Sequence, residues 1–313
     1  MHLVFSEKLD PTTNLVANWL SSNNELAIIE DYNKLDVVLN NVDDIVLKYS
    51  NIYVNLNDID KVWFRRGKVY LNHKVQKDED VSFFKYNFEI SKIVQNHVNF
   101  LISLKKECIG NPNLIDVNKL QSLLIAKNVG FDIPKSIVTD KLSKVVNSFK
   151  NKKVITKLLY PLKAEIDKKY LNFLTFECDF NTMDDDFSLS FFQEKIEKLY
   201  EIRVFFIKGE IFCKAIFSQY DKQTSLDYRN YNMQRPNREV PYNLPLKVKK
   251  KVVKFMEKIK LDTGSLDIIL SKEGLFYFLE VNPIGQFSDM SYNCNYYIEK
   301  KIAQYLSNQR SFK

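Results

Sequence analysis

Glycine is nearly absent from this chain. Seven occur in 313 residues, where an average usage of roughly 7 % would supply about 22. The scarcity removes the folds that cradle phosphate in glycine-lined backbone. No G-x-G-x-x-G follows a strand pattern, and no G-x-x-x-x-G-K-[ST] occurs anywhere. A nucleotide, if one binds, has to be held largely by side chains.

At ~100–200 residues per domain the length suggests two domains or three small ones. Hydrophobic residues make up 45 % and charged residues 27 %, enough apolar material for a sizeable core. No apolar stretch is long enough for a membrane span, and residues 1–7 lack the basic-then-apolar layout of a secretory signal. Cys108, Cys178, Cys213 and Cys294 form no C-x-x-C pair, and there are only 3 His, so neither a zinc site nor a disulfide framework is expected. A reducing, cytoplasmic location fits. Lys+Arg (46) exceed Asp+Glu (39) by 7. That surplus admits acidic partners such as nucleotides or acidic peptides and does not point to nucleic acid.

The pattern predicts an α/β N-terminal part and an α+β remainder. Residues 2–5, 26–30, 36–39 and 61–64 read as strands, and Asp10-Pro11 opens a helix as N-cap and first helical residue. Residues 83–104 carry apolar side chains at helical spacing. Asn111-Pro112-Asn113 breaks the pattern, which sets a first domain at 1–112, a small central one at 113–190 and a C-terminal one at 191–313. Asp116 is expected to cap a helix closed by Gly130. Residues 154–159 and 171–176 read as strands, followed by β-patterned runs at 190–196, 201–207, 210–217, 264–270 and 275–281. Helices are expected at 247–259 and 295–306. The run Lys247, Lys249, Lys250, Lys251 reads as the solvated face of the first.

Two hairpins carry the chemistry. The runs 264–270 and 275–283 flank Ser271-Lys272-Glu273-Gly274. With Ser271 facing Gly274, Asp267 pairs with Phe278 and stands diagonal to Glu280. Asp267, Glu280 and Asn282 then share one face. That is an all-oxygen set suited to Mg²⁺ held jointly with phosphates, or a wet polar face. The runs 201–207 and 210–217 are joined by Lys208-Gly209, which sets Arg203 opposite Lys214 with Glu201 on the same face. Facing cations call for an anion, so the cluster is a surface charge network or a ribose and phosphate site. Lys157 sits among aliphatics, at a wet edge or aimed at an anion. Lys119, in a first helical turn, opposes the helix dipole unless it answers an anion. Gln193-Glu194-Lys195-Ile196 and Arg65-Arg66 say nothing alone.

In this order, Lys119, Lys157, Gln193-Glu194-Lys195-Ile196, Glu201-Ile202-Arg203, Asp267 and Glu280-Val281-Asn282-Pro283 resemble the ATP-grasp superfamily of carboxylate–amine ligases. Within it the chain is most similar to peptide maturases that tie ω-ester or ω-amide rings, the microviridin-type ligases and grasp-with-spasm maturases. That likeness rests on residues 10–20, Val62-Trp63-Phe64-Arg65-Arg66, Ser218-Gln219 with Asp227-Tyr228-Arg229, and Asn282-Pro283-Ile284-Gly285-Gln286-Phe287 with Cys294-Asn295-Tyr296-Tyr297. The resemblance implies an ATP-grasp fold, with an N-terminal α/β domain, a small central domain and a C-terminal antiparallel-sheet domain. It implies that Lys119 and Lys157 bind ATP phosphates, that Glu194 and Lys195 line the adenine hinge through backbone groups, and that Glu201 holds the ribose. It further implies that Asp267, Glu280 and Asn282 hold two Mg²⁺ and that Arg203 and Arg229 stabilise the transferring oxygens. Arg65 and Arg66 would contact the substrate carboxylate. Lys214 is assigned to the nucleotide only by the hairpin pairing. One departure stands out: residues 159–173, where a flexible glycine-containing phosphate lid is usual, contain no glycine, leaving a polar loop at 164–169 or an ordering peptide to cover ATP.

The implied reaction is ATP-dependent ring closure within a leader–core precursor peptide, by a homodimer. A side-chain carboxylate is activated as an acyl phosphate and captured by a Ser/Thr hydroxyl or Lys amine. The competing readings are a ligase that adds amino acids to a peptide or protein tail, and a non-catalytic peptide- or nucleic-acid-binding homologue.

Overall fold

A computed structural model of the chain describes residues 1–20, 26–66, 69, 71, 81–159, 164–166, 169–171 and 175–307. The N-terminal part contains β1 (His2–Phe5), α1 (Pro11–Ala17), β2 (Leu26–Ile29), β3 (Leu35–Asn41), β4 (Asp44–Tyr49), β5 (Ile52–Asn55), β6 (Lys61–Phe64), α2 (Val81–Lys105) and β7 (Glu107–Ile109). A parallel sheet runs β2-β1-β6-β7, and β3-β4-β5 form an antiparallel one. Asp10 caps α1 as expected, its carboxylate accepting from the Thr12 N–H at 3.0 Å. The strands β4 and β5 lie where the sequence shows no clean alternation.

The central part holds α3 (Lys119–Asn128), β8 (Ser136–Lys141), α4 (Leu142–Phe149), β9 (Val154–Thr156), β10 (Ala164–Ile166), β11 (Lys169–Leu171), β12 (Phe176–Glu177) and β13 (Asp186–Glu194). The sheet order is β12-β9-β13-β8, with β10 and β11 as a separate antiparallel pair. Two expectations change here, and a third lies partly outside the described residues. The cap of α3 is Asn118, whose side chain accepts from the Leu120 and Gln121 N–H groups, and not Asp116. The strand expected at 154–159 stops at Thr156, so Lys157 just follows β9. Of the lid expected at 159–173, residues 160–163, 167–168 and 172–173 lie outside the described ones.

The C-terminal part consists of β14 (Lys198–Ile207), β15 (Glu210–Phe217), β16 (Arg238–Pro241), α5 (Leu246–Lys258), β17 (Thr263–Ser271), β18 (Phe276–Asn282), α6 (Ser288–Cys294) and α7 (Ile298–Leu306). An antiparallel sheet of order β16-β15-β14-β17-β18 forms its centre. The expected helix 295–306 is shorter, because Asn295 and Tyr297 adopt left-handed backbone and separate α6 from α7. The sheet packs on α3 and α5 through Leu123, Val252, Phe255, Leu266 and Phe278. A second cluster, joining Val4, Trp63, Phe205, Phe287 and Ile302, binds the N-terminal sheet to α7 and the 283–287 segment. Among the described residues no helix is long and apolar enough to cross a membrane.

Candidate functional site

The hairpin β14–β15 has the expected register. Lys208 (φ 45°) and Gly209 (φ 90°) both take the left-handed backbone of a tight two-residue turn. Ile207 therefore pairs with Glu210, and Arg203 with Lys214. The sheet supplies the anions that these facing cations require. On its other side Arg203 neighbours Asp267, and one guanidinium nitrogen donates to both carboxylate oxygens at 2.6 and 2.8 Å. Lys214, 1 % exposed, donates to Glu239 at 2.7 Å and to Asp289.

The β17–β18 register corrects the expected one. Leu270 pairs with Phe276 and Ile268 with Phe278, but Asp267 pairs directly with Glu280. Leu279 is the extra residue of a β-bulge. Continued without it, the pairing next to the turn would set Asp267 against Leu279 and turn Glu280 to the other face. The bulge thus places the two carboxylates side by side, and the pair Ser265–Asn282 follows in step. Beyond the strand, Gly285 passes so close to β17 that an added Cβ would lie 2.0 Å from the Ser265 Oγ. A side chain at that position cannot be accommodated without moving the exit of β18.

Two cavities meet at Glu280. The first, about 340 Å³, is walled by β9, the end of β13, the 195–197 connection, β14, β17 and β18, and includes Lys157, Gln193, Glu194, Lys195, Glu201 and Asp267. The second, about 510 Å³, is walled by residues 115–120, Leu159 and the end of β18, and includes Lys119 and Asn282. Arg229 and Glu280 line both.

At the junction three cations surround one carboxylate. Lys119 Nζ lies 3.2 Å from Glu280 Oε2 and donates to the Leu158 carbonyl at 2.9 Å. Arg229 is 3.5 Å from Glu280 Oε1 and is oriented by two bonds to Asp227, of 2.9 and 2.7 Å. Burial pushes the Glu280 carboxyl up, but Lys157, Lys119 and Arg229 together hold it at about 2. Burial pulls the Lys157 ammonium down from its ordinary value, Glu280 opposes this, and Lys119 and Arg229 reinforce it. An anion entering beside Lys157 relieves that crowding.

At the far end of the first cavity Glu201 accepts from Lys198 at 2.6 Å and from the Ser218 hydroxyl at 2.9 Å, both on Oε1. Burial raises its pKa against the pull of Lys198. Glu194 and Lys195 turn their side chains to Lys152 (2.6 Å) and Glu177 (2.5 Å), so they meet the cavity mainly through backbone. Gln193 is quoted in the sequence only as part of its motif and carries no assigned role there. Its amide N–H donates to Ser136 Oγ at 3.0 Å, while that hydroxyl donates its own proton to the Pro134 carbonyl. The amide orientation is thereby fixed, and the Gln193 Oε1 is buried with no partner. Asp227 was also missed as an orienter of Arg229, although the Asp-x-Arg spacing was visible.

Four candidate residues line neither cavity, and of these Arg203 reaches the site only through Asp267. Lys214 lines neither cavity and is taken up by Glu239 and Asp289. Arg65 and Arg66 also line neither. Arg65, 3 % exposed, donates to Thr12 at 3.1 Å and to Gln286 at 2.7 Å, with its Nε 3.2 Å from Asp10. Arg66 donates to Asp10 at 2.8 Å.

The donor set fits Mg²⁺. Among the described residues no three His, Cys, Asp or Glu side chains could hold a metal ion. Mg²⁺, however, is commonly held by one or two carboxylates, with phosphate oxygens and water completing the shell. Asp267 and Glu280 meet that requirement as direct cross-strand neighbours. Asn282 uses its Oδ1 to accept from the Ile284 N–H at 3.0 Å and faces the second cavity.

No protein-family model matches the chain, and a search of curated proteins finds no match. Solved structures do match. A RiPP-associated ATP-grasp ligase of Chryseobacterium gregarium, solved with ADP and a leader and core peptide, is 22 % identical with a TM-score of 0.82, over 99 % of this chain and 98 % of that one. The macrocyclase MdnC from Microcystis aeruginosa, bound with precursor peptide MdnA, is 21 % identical with a TM-score of 0.77, over 99 % and 100 % of the two chains. The macrocyclase MdnB from the same organism is 20 % identical with a TM-score of 0.75, over 97 % and 98 %. From β1 to α7, the chain has the fold of the ATP-grasp ligases.

Proposed function

We propose that the protein is an ADP-forming ligase. It activates Asp or Glu side chains of a ribosomal leader–core precursor peptide as acyl phosphates and closes ω-ester or ω-amide rings with Ser, Thr or Lys of the same peptide. One observation carries the reading: Lys119, Lys157 and Arg229 converge on Glu280 where the two cavities meet. Those cations are one carboxylate's partners in the free protein and several phosphate oxygens' partners when ATP is bound.

The first cavity takes the nucleotide, with the base toward Gln193 and the 194–196 hinge, the ribose at Glu201 and the phosphates at Lys157 and Lys119. Asp267, Glu280 and Asn282 are the groups that would hold Mg²⁺, which when bound neutralises the phosphate charge. The second cavity presents the peptide carboxylate. Arg229, common to both, is placed to bind oxygens on either side of the bond being made, and Arg203 keeps Asp267 in position. Charge neutralisation and alignment account for such a reaction without a covalent protein intermediate. The active-site roles of Lys214, Arg65 and Arg66 receive no support from this geometry, which makes them structural. The domain division at 190 falls inside β13, and we place it instead in residues 195–197.

The partner is an acidic leader–core peptide rather than nucleic acid or membrane, in a reducing cytoplasm that matches four free cysteines. The test is purified protein with Mg-ATP and the precursor encoded beside its gene. Product mass falling by whole multiples of one water supports ring closure. A rising mass shows amino-acid addition, and no ADP release shows a non-catalytic binder.

A further inference from the structure

Lys198 and Glu201 are three residues apart on β14, a spacing that sends side chains to opposite faces of a regular strand. They share a face because β14 carries a bulge of its own. Lys198 pairs with Ser271 and Tyr200 with Leu270, which leaves Leu199 as the extra residue. Lys198 is thereby turned inward, 7 % exposed, and lines the first cavity beside Glu201. Its ammonium donates to Glu201 Oε1 at 2.6 Å and to the Leu226 carbonyl at 3.1 Å. The Ser218 hydroxyl donates to Oε1 as well, so neither donor occupies Oε2.

Leu226 belongs to the connection between β15 and β16, residues 218–237, which carries Arg229. That connection is gathered onto the same carboxylate. Ser218 is bonded to Glu201 directly, and the Ser218 carbonyl accepts from Thr224 Oγ1 at 3.1 Å. Gln219 Nε2 spans the connection to the Ser225 carbonyl at 3.1 Å, and Lys198 holds the next residue, Leu226. Asp227 follows in the chain and orients Arg229 through its two bonds to the guanidinium. One ammonium thus stands between the carboxylate at one end of the cavity and the segment that presents the arginine at the other.

We propose that Lys198 is a positioning residue, which fixes Glu201 for the ribose and the 218–229 segment for Arg229 at the same time. Grip on the sugar and placement of the arginine then act as one unit. This role rests on the nucleotide occupying the first cavity. A buried ion pair adds little net stability, but removing one partner leaves the other charged, buried and unpaired. Methionine at 198 would leave Glu201 without its countercharge and the Leu226 carbonyl without this donor. The sugar contact and the arginine should weaken together. Proximity alone does not establish such coupling, whereas non-additive losses do.

Calorimetric titration of the full chain with ATP and with 2′,3′-dideoxy-ATP, Mg²⁺ present and no peptide added, tests it. The wild type is expected to favour ATP about tenfold, the scale of one hydrogen bond to a charged group. In Lys198→Met the preference should shrink to about twofold or less, and Lys198→Arg, which keeps a charged donor, should restore most of it. The double variant Lys198→Met, Arg229→Ala should lose less ATP affinity than the product of the two single losses, by about threefold or more. If Lys198→Met does not melt cooperatively, Lys198→Gln is read in its place. A preference for ATP that survives the substitution, or losses that simply multiply, overturns the positioning role. A wild type that binds both nucleotides equally removes the ribose from Glu201, and the role with it. A wild type that binds neither overturns the nucleotide reading itself, and the role falls with that reading.

Discussion

Glu280 settles the charge of the cleft. Its carboxyl is held at about 2 against an ordinary value of 4.5, and that of Asp227, buried but bonded to Arg229, at about 2 against 3.8. Between those limits the unfolded chain binds more protons than the folded one. The stability both groups contribute is therefore complete above about pH 4.5 and is lost as the pH falls toward about 2. Melting temperatures followed over that range should fall less steeply in Glu280→Gln and Asp227→Asn than in the wild type. Gln193 yields a sharper test. An acceptor buried without a partner costs about 1–3 kcal/mol, and an adenine amino group would satisfy Oε1. In Gln193→Leu the affinity for ATP should drop roughly tenfold, while purine riboside triphosphate, which lacks that amino group, should bind both proteins equally. Equal loss for both nucleotides would remove Gln193 from base recognition.

The secondary-structure elements show which registers were readable and why. Lys208-Gly209 leaves a two-residue turn no slack, so Arg203 opposite Lys214 followed directly from the spacing. The turn before Leu275 is one residue looser than expected, and the bulge at Leu279 has no signature in residue type. Asp267 and Glu280 do share a face as expected, but not through the expected register: the looser turn alone would separate them, and the bulge brings them back together in a direct pair. Likewise Asp116 and Asn118 are both good capping residues, and only the backbone decides between them. The pairing of Arg203 with Asp267 depends on β17 lying beside β14, a neighbour relation that local pattern does not contain. The bulge makes its own prediction. Deleting Leu279 removes the extra residue, so a regular ladder should still set Glu280 opposite Asp267 and Mg-ATP binding should persist in a titration. Loss of binding in a variant that still melts cooperatively would show that the bulge itself, and not the pairing alone, is required.

At the scale of the whole molecule, Arg65 and Arg66, which the resemblance assigns to the substrate carboxylate, are engaged within the fold by Asp10, Thr12 and Gln286. Arg65 spans from Asp10 and Thr12 to Gln286, tying the N-terminal helix to the segment that follows β18. Removing one member of a buried charged pair costs about 3–5 kcal/mol, and Arg66 remains to share Asp10. Arg65→Met should therefore lower the melting temperature markedly and leave nucleotide affinity within twofold. A large affinity loss in a stable variant would return Arg65 to the substrate.

The mutual pairing of Arg203 with Asp267, and of three cations with Glu280, has a consequence for the order in which ligands arrive. A divalent ion reaching the free protein has to displace an arginine or a lysine from each carboxylate. Once phosphates have drawn those cations away, the same oxygens are available without that competition. Ion and nucleotide should therefore promote one another's binding by an identical factor, as thermodynamic reciprocity demands. Calorimetric titration of Mg²⁺ with and without a non-hydrolysable ATP analogue measures that factor, and a value near one would disprove it. On that expectation the protein without nucleotide should bind ambient magnesium weakly, and the two carboxylates should become available to the ion only with nucleotide bound.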